Sequence, residues 1–410
     1  MYKSKIVTKC QICSSKKLDP ILFLGYLPPV NKFVKINTRP HQEESYPAEL
    51  LFCNKCKLVQ LGLIVHQKIL FPFEYPYTSS TTKILRDNFN NLFKKVKTKF
   101  NFQKDDLVID IGSNDGNLLS NFKKDFKVLG VTPEKIGKIA IKKGIPTLLK
   151  YFNLRTANFI IKKYKKAKVI TATNVFAHID SLDEIVMGVK KCLDVNGVFI
   201  TESHYLIPLL KDVQYDTVYH EHLRYYSVTS LNKLFTKHGL QIFDVEKIPT
   251  HGGSIRVYCS YKNKFKVQSS VITYLKNEKK YLNHNFFKKF EKKVVASKLN
   301  LLSTLSKIKN SNFKIAGISA PSRAATLINY VGIEKNIVDC IFEISGSYKI
   351  GHYVPGTQIP VVEEISRNLN KYDYLLIFSW HIYKELKLIL KKKGFKGKFI
   401  IPLPNPRIMR

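Results

Sequence analysis

The chain has 410 residues, 44% of them hydrophobic and 12% aromatic, which is enough for more than one hydrophobic core, so two or three domains are expected. Charged residues make up 24%, and the 19 Gly and 17 Pro are ordinary numbers, which excludes a disordered or fibrous protein. The net charge of +37 would suit an anionic partner. Because the lysines are dispersed along the chain, we interpret this charge as a bias in composition and not as a nucleic-acid-binding stripe.

The sequence also indicates the compartment. No apolar run approaches the roughly 18 residues of a membrane-spanning helix, so no membrane partner is expected. The basic N-terminal residues are not followed by the apolar segment of a secretory signal, and a cytoplasmic protein is predicted. Seven Cys are too few for a disulfide scaffold in a chain of this length.

Four of the cysteines form two Cys-x-x-Cys pairs, Cys10 with Cys13 and Cys53 with Cys56. Two such turns can direct four thiolates to one ion, which is typical of a structural zinc site. Four protein ligands leave no open coordination position, so this zinc would stabilise the fold without taking part in chemistry. We predict a zinc-binding module over residues 1–70; two buried thiol pairs without metal are the alternative.

Residues 107–117 have the pattern of a buried strand, a glycine-containing turn and the start of a helix. The turn lacks the spacing of a dinucleotide fingerprint and is similar to motif I of class I S-adenosylmethionine methyltransferases. The resemblance implies that the cofactor is bound by Asp110, Gly112, Ser113, Asp115 and Gly116. An ordinary turn between a strand and a helix is the alternative.

Further strands are predicted at residues 128–131, 169–173 and 198–202, with amphipathic helices between them. This alternation indicates a parallel, doubly wound sheet, and we assign residues 71–265 to this core.

The second strand of the core ends at Thr132, with Glu134 beyond Pro133. In methyltransferases of this class an acidic residue usually holds the ribose of the cofactor at that position. We assign Thr132 to the cofactor, together with Asn174 at the end of a later strand. A core that has lost its cofactor is the alternative.

The densest group of reactive side chains is Tyr219-His220-Glu221-His222. It combines a general base with a pKa near neutrality, an orienting carboxylate and a hydroxyl donor. A histidine-rich surface loop is the alternative, and a second metal site is less favoured because a third ligand is missing. His178, alone after a strand, is by itself typical of a structural histidine.

Residues 266–310 carry apolar side chains at helical intervals, such as Phe290, Val294, Val295 and Leu299, so a helical linker is predicted. Residues 311–410 repeat the alternation of strands and helices and are predicted to form a second, Rossmann-like α/β domain.

Two basic residues of this last domain are candidates for phosphate contacts. Arg323 stands at the start of a predicted helix, whose backbone amides could meet a pyrophosphate. Lys349 precedes Gly351 and is either a second phosphate contact or a solvated lysine.

Taken in order, these motifs resemble the nucleotide-sugar C-methyltransferases of deoxysugar pathways over nearly the whole chain. Besides the cysteine pairs, the segments that carry the resemblance are Phe73-Glu-Tyr-Pro-Tyr77-Thr-Ser-Ser80, Asp110-Ile-Gly-Ser-Asn-Asp-Gly116, Asn174-Val-Phe-Ala-His178-Ile, Tyr219-His-Glu-His222, Thr250-His-Gly-Gly-Ser-Ile-Arg256-Val-Tyr258 and Tyr353-Val-Pro-Gly-Thr-Gln-Ile-Pro360. The resemblance implies an α/β protein with a zinc module, a class I methyltransferase core with a Rossmann-like fold, and a C-terminal Rossmann-like domain that helps to close over a nucleotide sugar. The implied cofactors are S-adenosylmethionine and structural zinc.

The resemblance also implies roles for single residues. Methyl transfer to carbon requires that a proton leave a carbon next to a ketone, so a base and a partner for the oxyanion are needed. By similarity these roles fall to His222 as the base, Glu221 as an orienting or polarising acid, and Tyr219 and Tyr77 as contacts to the sugar and its keto oxygen. Further substrate contacts are assigned to His178, Arg323 and Lys349.

Two other functions stay open from the sequence. The net charge and the zinc module favour a nucleic-acid methyltransferase, although the chain has no basic-and-aromatic stripe and no Asn-Pro-Pro-Tyr type motif for base flipping. A sugar-nucleotide-binding protein without catalysis is the other. The sequence specifies neither the methylated carbon nor the oligomeric state.

Overall fold

The computed structural model describes residues 4–70 and 82–410 of the chain. The elements of the first part are β1 (Lys5–Ile6), β2 (Asp19–Leu27), β3 (Val34–Lys35), β4 (Tyr46–Phe52), β5 (Val59–Leu61), β6 (Leu63–Ile64) and α1 (Gln67–Leu70). β2, β4 and β5 form an antiparallel sheet, and β1 pairs with β6.

The middle of the chain alternates strands and helices. Its elements are α2 (Lys83–Lys99), β7 (Leu107–Ile111), α3 (Asn117–Phe122), β8 (Lys127–Val131), α4 (Gly137–Lys142), β9 (Thr147–Leu148), α5 (Leu154–Lys163), β10 (Ala167–Thr173), α6 (Leu182–Cys192), β11 (Leu193–His204), α7 (Leu206–Lys211), β12 (Arg224–Tyr225), α8 (Val228–Lys237), β13 (Leu240–Ile248) and β14 (Ser254–Tyr261).

Seven of these strands form one sheet in the order β13-β14-β11-β10-β7-β8-β9. β14 runs antiparallel to both of its neighbours, and the strands from β11 to β9 are parallel. The chain therefore moves outward in one direction from β7 to β9 and in the other direction from β10 onward. Open α/β sheets bind ligands at such a reversal, beyond the carboxyl ends of the strands, which here places a site after β7 and β10.

A buried ion pair fixes α2 to this sheet. Glu202 on β11 accepts from the Arg256 guanidinium at 2.6 Å, and both side chains are fully buried. Asn88 of α2 bridges the pair, since its amide donates to Glu202 at 2.7 Å and its oxygen accepts from Arg256 at 3.0 Å. Glu202, Arg256 and Asn88 are each hydrogen-bonded to the other two, so this buried ion pair is fully partnered and its role is structural.

The last part contains α9 (Ser269–Glu278), α10 (His284–Asn310), β15 (Ile315–Ile318), α11 (Ser322–Val331), β16 (Ile341–Glu343), β17 (His352–Tyr353), β18 (Pro360–Glu363), α12 (Ser366–Leu369), β19 (Tyr374–Ile377), α13 (Tyr383–Lys392), β20 (Lys398–Ile401) and β21 (Arg407–Met409). Its sheet has the order β21-β20-β19-β15-β16-β18-β17-β3, with β20, β19, β15, β16 and β18 parallel. The chain reverses between β15 and β19, so this sheet also has a crevice at its carboxyl edge.

Two short strands connect the parts of the chain. β12 leaves the middle part and pairs with β5, so Arg224 lies opposite Gln60 in the first sheet. β3 leaves the first part and extends the last sheet through β17, with Val34 opposite Tyr353. Each pairing adds backbone hydrogen bonds between distant segments. The first part of the chain is therefore joined to the middle part through β12 and to the last part through β3.

The helices between the two large sheets are packed and partly buried. Phe287 of α10 lies 4.6 Å, ring centre to ring centre, from Phe52 of the first sheet. On α9 the buried Glu278 accepts hydrogen bonds from the backbone N–H of Val228 at 2.7 Å and of Thr229 at 2.8 Å, and so caps α8. Among the described residues no helix is both long and apolar enough to cross a membrane.

The α/β fold predicted for the core and for the last part of the chain is confirmed by these two sheets.

Candidate active site

The four cysteines of the first part converge. Sγ of Cys10 lies 3.3 Å from Sγ of Cys56, Sγ of Cys13 lies 3.5 Å from Sγ of Cys53, and all four sulfurs are within 4.8 Å of one another. Sulfurs that share a tetrahedral zinc ion at 2.3 Å are about 3.8 Å apart, so the cluster needs only a slight expansion to hold the ion.

The backbone around both cysteine pairs has the same form. The N–H of Ser14 donates to the carbonyl of Cys10, the N–H of Lys57 donates to the carbonyl of Cys53, and both Ser14 and Lys57 are left-handed, at φ 57° and 63°. The hydrogen bond between Cys10 and Cys56 lowers the pKa of Cys10, which favours a thiolate there, and raises the pKa of Cys56. Two matched turns and a ready thiolate fit a structural zinc site, and the alternative of metal-free thiol pairs explains neither feature.

The turn after β7 requires its glycines. Gly112 has φ +73°, and a Cβ there would lie 2.4 Å from Cγ2 of Val175. Gly116 has φ +77°, and its Cβ would lie 2.8 Å from Cβ of Ala140. Neither position accepts a side chain. The turn therefore presents bare backbone at the point where the strand order reverses, and a ligand can approach it closely.

Polar groups surround this turn. Asp110 is buried and accepts from the Thr171 hydroxyl at 2.7 Å, and burial raises the pKa of its carboxyl to about 7. Asp115 is buried and pairs with Lys143 at 3.4 Å. The hydroxyl oxygen of Ser113 is buried without a hydrogen-bond partner in residues 4–70 and 82–410. An unsatisfied hydroxyl beside a glycine turn fits a polar ligand, as S-adenosylmethionine is.

The end of β8 supplies an acidic group that sequence reasoning had set aside. Thr132 is buried, and its hydroxyl donates to the carboxylate of Glu134. The carboxylate is therefore brought back to the strand end, past Pro133. Asn174, at the end of β10, is also at this edge, with φ 58° and its N–H on the carbonyl of Glu202.

Tyr219 and His222 form a hydrogen-bonded pair. Nδ1 of His222 lies 2.9 Å from the carbonyl oxygen of Thr217, and Nε2 lies 3.1 Å from the hydroxyl of Tyr219. A carbonyl only accepts, so Nδ1 carries the hydrogen and Nε2 presents its lone pair. Burial lowers the pKa of His222 well below its ordinary value, and the imidazole is therefore neutral at pH 7.

The segment that carries this pair is fixed against the end of β10. The N–H of Leu223 donates to the carbonyl of Ala177 at 2.8 Å, and the Tyr226 hydroxyl donates to the carbonyl of Phe176 at 3.1 Å. The ring of His178 lies 5.0 Å from that of His222. His178 is thus part of the same group of side chains as His222, next to the carboxyl end of β10.

Glu221 points to a different set of partners. Its carboxylate accepts from the amide of Asn31 at 2.7 Å, and the Asn31 oxygen accepts from the Ser322 hydroxyl at 3.3 Å. The sequence led us to expect that Glu221 orients its neighbour, but the described hydrogen bonds of His222 run to Thr217 and Tyr219. Consecutive side chains diverge here, and Glu221 instead joins the first, middle and last parts of the chain.

Lys349 lies close to this junction. Its ammonium donates to the carbonyl of Ala320 at 2.6 Å, and the N–H of Ala320 donates to Glu343 at 2.9 Å. Burial lowers the pKa of Lys349, while the nearby carboxylates of Glu343 and Glu221 oppose this shift. The lysine is therefore a shielded cation beside the start of α11 and not a solvated one.

Arg323, at the start of α11, reaches into the middle part of the chain. Its guanidinium lies 3.7 Å from the carboxylate of Asp216, 3.3 Å from the carbonyl of His251 and 3.3 Å from Nδ1 of His381. Trp380 donates its indole N–H to Asp216 at 2.7 Å. Arg323 follows β15 and Trp380 follows β19. Both contact the middle part of the chain, so the carboxyl edge of the last sheet packs against that part.

Three histidines in this closure were missed by sequence reasoning: His204, His251 and His381. Burial lowers the pKa of His204 to about 3 and of His251 to about 4. They stand far apart in the sequence and in different elements, so no local spacing could have revealed them; only the Thr250-His-Gly-Gly motif contained a signal. Tyr77, assigned by resemblance, lies outside the described residues.

The geometry agrees with comparisons to known proteins. Residues 10–71 match the family model "Putative zinc binding domain", residues 77–245 match "Methyltransferase domain", and residues 249–404 match "C-methyltransferase C-terminal domain". Over 411 aligned residues the chain is 26% identical to C-methyltransferase NovU of Streptomyces niveus, covering 98% of this chain and 97% of NovU. Together these matches cover most of the chain and are consistent with a sugar C-methyltransferase family.

Solved structures resemble part of the methyltransferase. An S-adenosylmethionine-dependent methyltransferase from Clostridium acetobutylicum is 17% identical and covers 44% of this chain and 93% of its own, with a TM-score of 0.34. Magnesium protoporphyrin IX methyltransferase from Synechocystis is 12% identical and covers 43% and 83%, also with a TM-score of 0.34.

The predicted cofactors of the methyltransferase, S-adenosylmethionine and structural zinc, are confirmed by the family models together with the cysteine cluster. The protein is an S-adenosylmethionine-dependent C-methyltransferase.

Proposed function

We propose that the methyltransferase acts on a nucleotide-linked keto-deoxysugar and adds a methyl group to a carbon next to the ketone, through an enolate. The observation that supports this most is the state of His222. Nδ1 is held by the carbonyl of Thr217 and burial keeps the ring neutral, so Nε2 carries a lone pair that can accept a proton. Methyl transfer to carbon needs such a base.

The proton balance follows from this pair. The carbon–hydrogen bond beside the ketone breaks, its proton goes to Nε2 of His222, and its electron pair forms the enolate with the charge on oxygen. The hydroxyl of Tyr219, which now donates to Nε2, turns to the sugar as that nitrogen takes the proton. A general base of this kind contributes roughly 10²- to 10⁴-fold to the rate.

The cofactor is proposed to lie along the carboxyl edge of β7, β8 and β10. Backbone atoms at Gly112 and Gly116 would approach it, Ser113 would find its missing partner, and the carboxylate of Glu134 held by Thr132 would accept from the ribose hydroxyls. Asp110, Asp115 and Asn174 complete this edge. When bound, S-adenosylmethionine would supply an electrophilic methyl group to the enolate carbon and would leave as S-adenosylhomocysteine.

The substrate is proposed to enter between the two large sheets. The nucleotide would lie in the crevice of the last sheet, with its pyrophosphate near the N-terminus of α11 and the ammonium of Lys349. Arg323 is already engaged by Asp216 and the histidines, so we place it beside the sugar. The sugar would meet Tyr219, His178 and Glu221, and the resemblance adds Tyr77.

The division of the chain stays a proposal, with a zinc module at 1–70, the core at 71–265, a helical linker at 266–310 and a nucleotide-sugar domain at 311–410. We also propose a cytoplasmic location, because thiolates that bind zinc must stay reduced, as thiols do in the cytosol. The proposed partner is a small molecule; neither nucleic acid nor membrane is included.

The experiment is incubation of the purified protein with methyl-labelled S-adenosylmethionine and a panel of dTDP-, GDP- and CDP-linked 4-keto-deoxysugars. Mass spectrometry of the product should show one added methylene, and NMR should place it on carbon. Labelling of an oxygen, or of added RNA or DNA in place of any sugar, would contradict the proposal. Binding of the sugars without transfer would indicate the inactive binding protein.

A further inference from the structure

His251 has a backbone conformation that its residue type rarely adopts. Its φ is +56°, and the two residues that follow, Gly252 and Gly253, also have positive φ, at +88° and +121°. A left-handed backbone is strained for a residue with a Cβ atom and persists only where its surroundings enforce it. Such a conformation points to a purpose for the side chain that it presents.

The surroundings do enforce it. The amide of Gln214 donates to the carbonyl of Gly252 at 2.9 Å, and a Cβ on Gly252 would lie 2.7 Å from the Gln214 oxygen. That same oxygen lies 3.0 Å from Nε2 of His204. The N–H of Gly253 donates to the carbonyl of Thr250 at 2.9 Å. These hydrogen bonds hold the loop at residues 250–253 against Gln214 in the middle part of the chain.

The ring of His251 is only partly exposed, yet its outer nitrogen is fully shielded. Nε2 has no hydrogen-bond partner in residues 4–70 and 82–410. The carbonyl of His251 accepts a hydrogen bond from the Arg323 guanidinium at 3.3 Å. Arg323 therefore binds the backbone of His251 and not its imidazole ring. A shielded imidazole nitrogen without a partner is costly unless a ligand satisfies it.

The charged and titratable groups around His251 are Arg323, His178, His204 and His381. His178 is close enough to His251 to affect its pKa and is in ring contact with His222, so the three imidazoles form one group that includes the proposed base. Burial, with the charge of Arg323, lowers the pKa of His251 to about 4, and the ring is neutral at pH 7. No three of these histidines bring ligand atoms together as a metal site would within the described chain.

We propose that Nε2–H of His251 donates a hydrogen bond to the keto oxygen of the substrate and to the enolate oxygen formed from it. This inference rests on the proposed function. The base takes the proton from carbon while His251 stabilises the charge that appears on the adjacent oxygen. A neutral imidazole suits this role, because it donates without giving its proton away, and the nearby Arg323 charge strengthens it.

The test compares two substitutions of His251 whose side chains differ in length. His251→Asn keeps a residue that tolerates left-handed φ but removes the nitrogen at the Nε2 position. His251→Gln places an amide N–H near that position. Turnover is measured with labelled S-adenosylmethionine and the panel of 4-keto-deoxysugar nucleotides, and thermal melting monitors folding.

We expect His251→Asn to lower kcat roughly 10²- to 10³-fold with little change in KM for S-adenosylmethionine, and His251→Gln to recover at least tenfold of that loss. Equal losses in both folded variants, or an Asn variant within threefold of wild type, would overturn the assignment of His251 alone. A wild-type protein that transfers methyl to none of the sugars would overturn the proposed function and this assignment with it.

Discussion

The hydroxyl of Tyr219 lies 3.1 Å from Nε2 of His222, the nitrogen that has to accept a proton in the proposed reaction. The other nitrogen of the ring is occupied by the carbonyl of Thr217, so Tyr219 is the group that the base must exchange for the substrate. The tyrosine therefore both aligns the ring and becomes available to the sugar when the proton is transferred.

Removal of this hydroxyl is expected to slow the reaction. Tyr219→Phe leaves the ring of His222 held by Thr217 only, and we expect kcat to fall about 10- to 100-fold, less than the loss of the base itself. Steady-state kinetics measure this. Tyr226→Phe is the matched control, because it removes a buried hydroxyl that donates to Phe176 and does not contact the base. Equal losses in the two variants would contradict the role of Tyr219.

Glu134 is expected to hold the cofactor. Glu134→Gln removes the carboxylate that Thr132 brings to the end of β8, and the dissociation constant for S-adenosylmethionine should rise at least tenfold, about 1.4 kcal/mol. Isothermal titration calorimetry measures it. Asp105→Asn, which breaks an exposed pair with Lys127 at the opposite end of β8, should bind as wild type does. An unchanged constant in the Glu134 variant would remove it from the site.

The cysteine cluster is expected to hold one zinc ion per chain. Cys53→Ser should lose that ion and melt at a lower temperature, because metal binding supplies about 10 kcal/mol or more in small zinc modules. Metal analysis by mass spectrometry and a melting curve measure both. Cys192→Ser, a buried thiol outside the cluster, should keep its zinc. Full zinc content in Cys53→Ser would contradict four-cysteine ligation.

The buried His204 is expected to make the protein less stable as the pH falls below neutrality. Burial, and secondly Arg323, lower the pKa of His204 to about 3 in the folded protein. Below pH 6.5 or so the unfolded chain takes up a proton that the folded chain does not, so the free energy of unfolding falls by about 1.4 kcal/mol per pH unit from this residue, until the pH approaches 3.

Urea unfolding of wild type and His204→Gln at a series of pH values measures this effect. The variant should lose less stability between pH 6 and 4.5, and the difference should correspond to about one proton. Any release of zinc at low pH is common to both proteins and cancels. Identical slopes would show that His204 is not shielded in the folded state.

Local patterns in the sequence were sufficient for the fold of each part. Each Cys-x-x-Cys pair, the turn around Gly112 and each single strand or helix depends on residues that are near neighbours in the sequence. The linker shows where such patterns stop. Its helical period was evident, yet Val295 and Leu299 are exposed at 46% and 58%, because adjacent apolar residues left the buried face of α10 ambiguous.

The arrangement of the site depended on contacts that no local pattern specifies. Asn31 contacts Glu221 across 190 positions, and Arg323 of the last part of the chain contacts Asp216 of the middle part. The return of Glu134 to Thr132 depends on the turn at Pro133. The types of the reactive residues could be read from the sequence. Their hydrogen-bond and ion-pair partners could not, because these depend on how the two large sheets pack against each other.

The most direct test of His222 as the catalytic base is proton exchange without methyl transfer. Wild-type protein is incubated in D2O with S-adenosylhomocysteine and the 4-keto-deoxysugar nucleotide that it methylates, and NMR follows the hydrogens next to the ketone. We predict exchange at one carbon in the wild type, and exchange slower by roughly 10²- to 10⁴-fold in His222→Asn with unchanged S-adenosylhomocysteine binding. Exchange that persists at the wild-type rate in His222→Asn would contradict the assignment of His222 as the base.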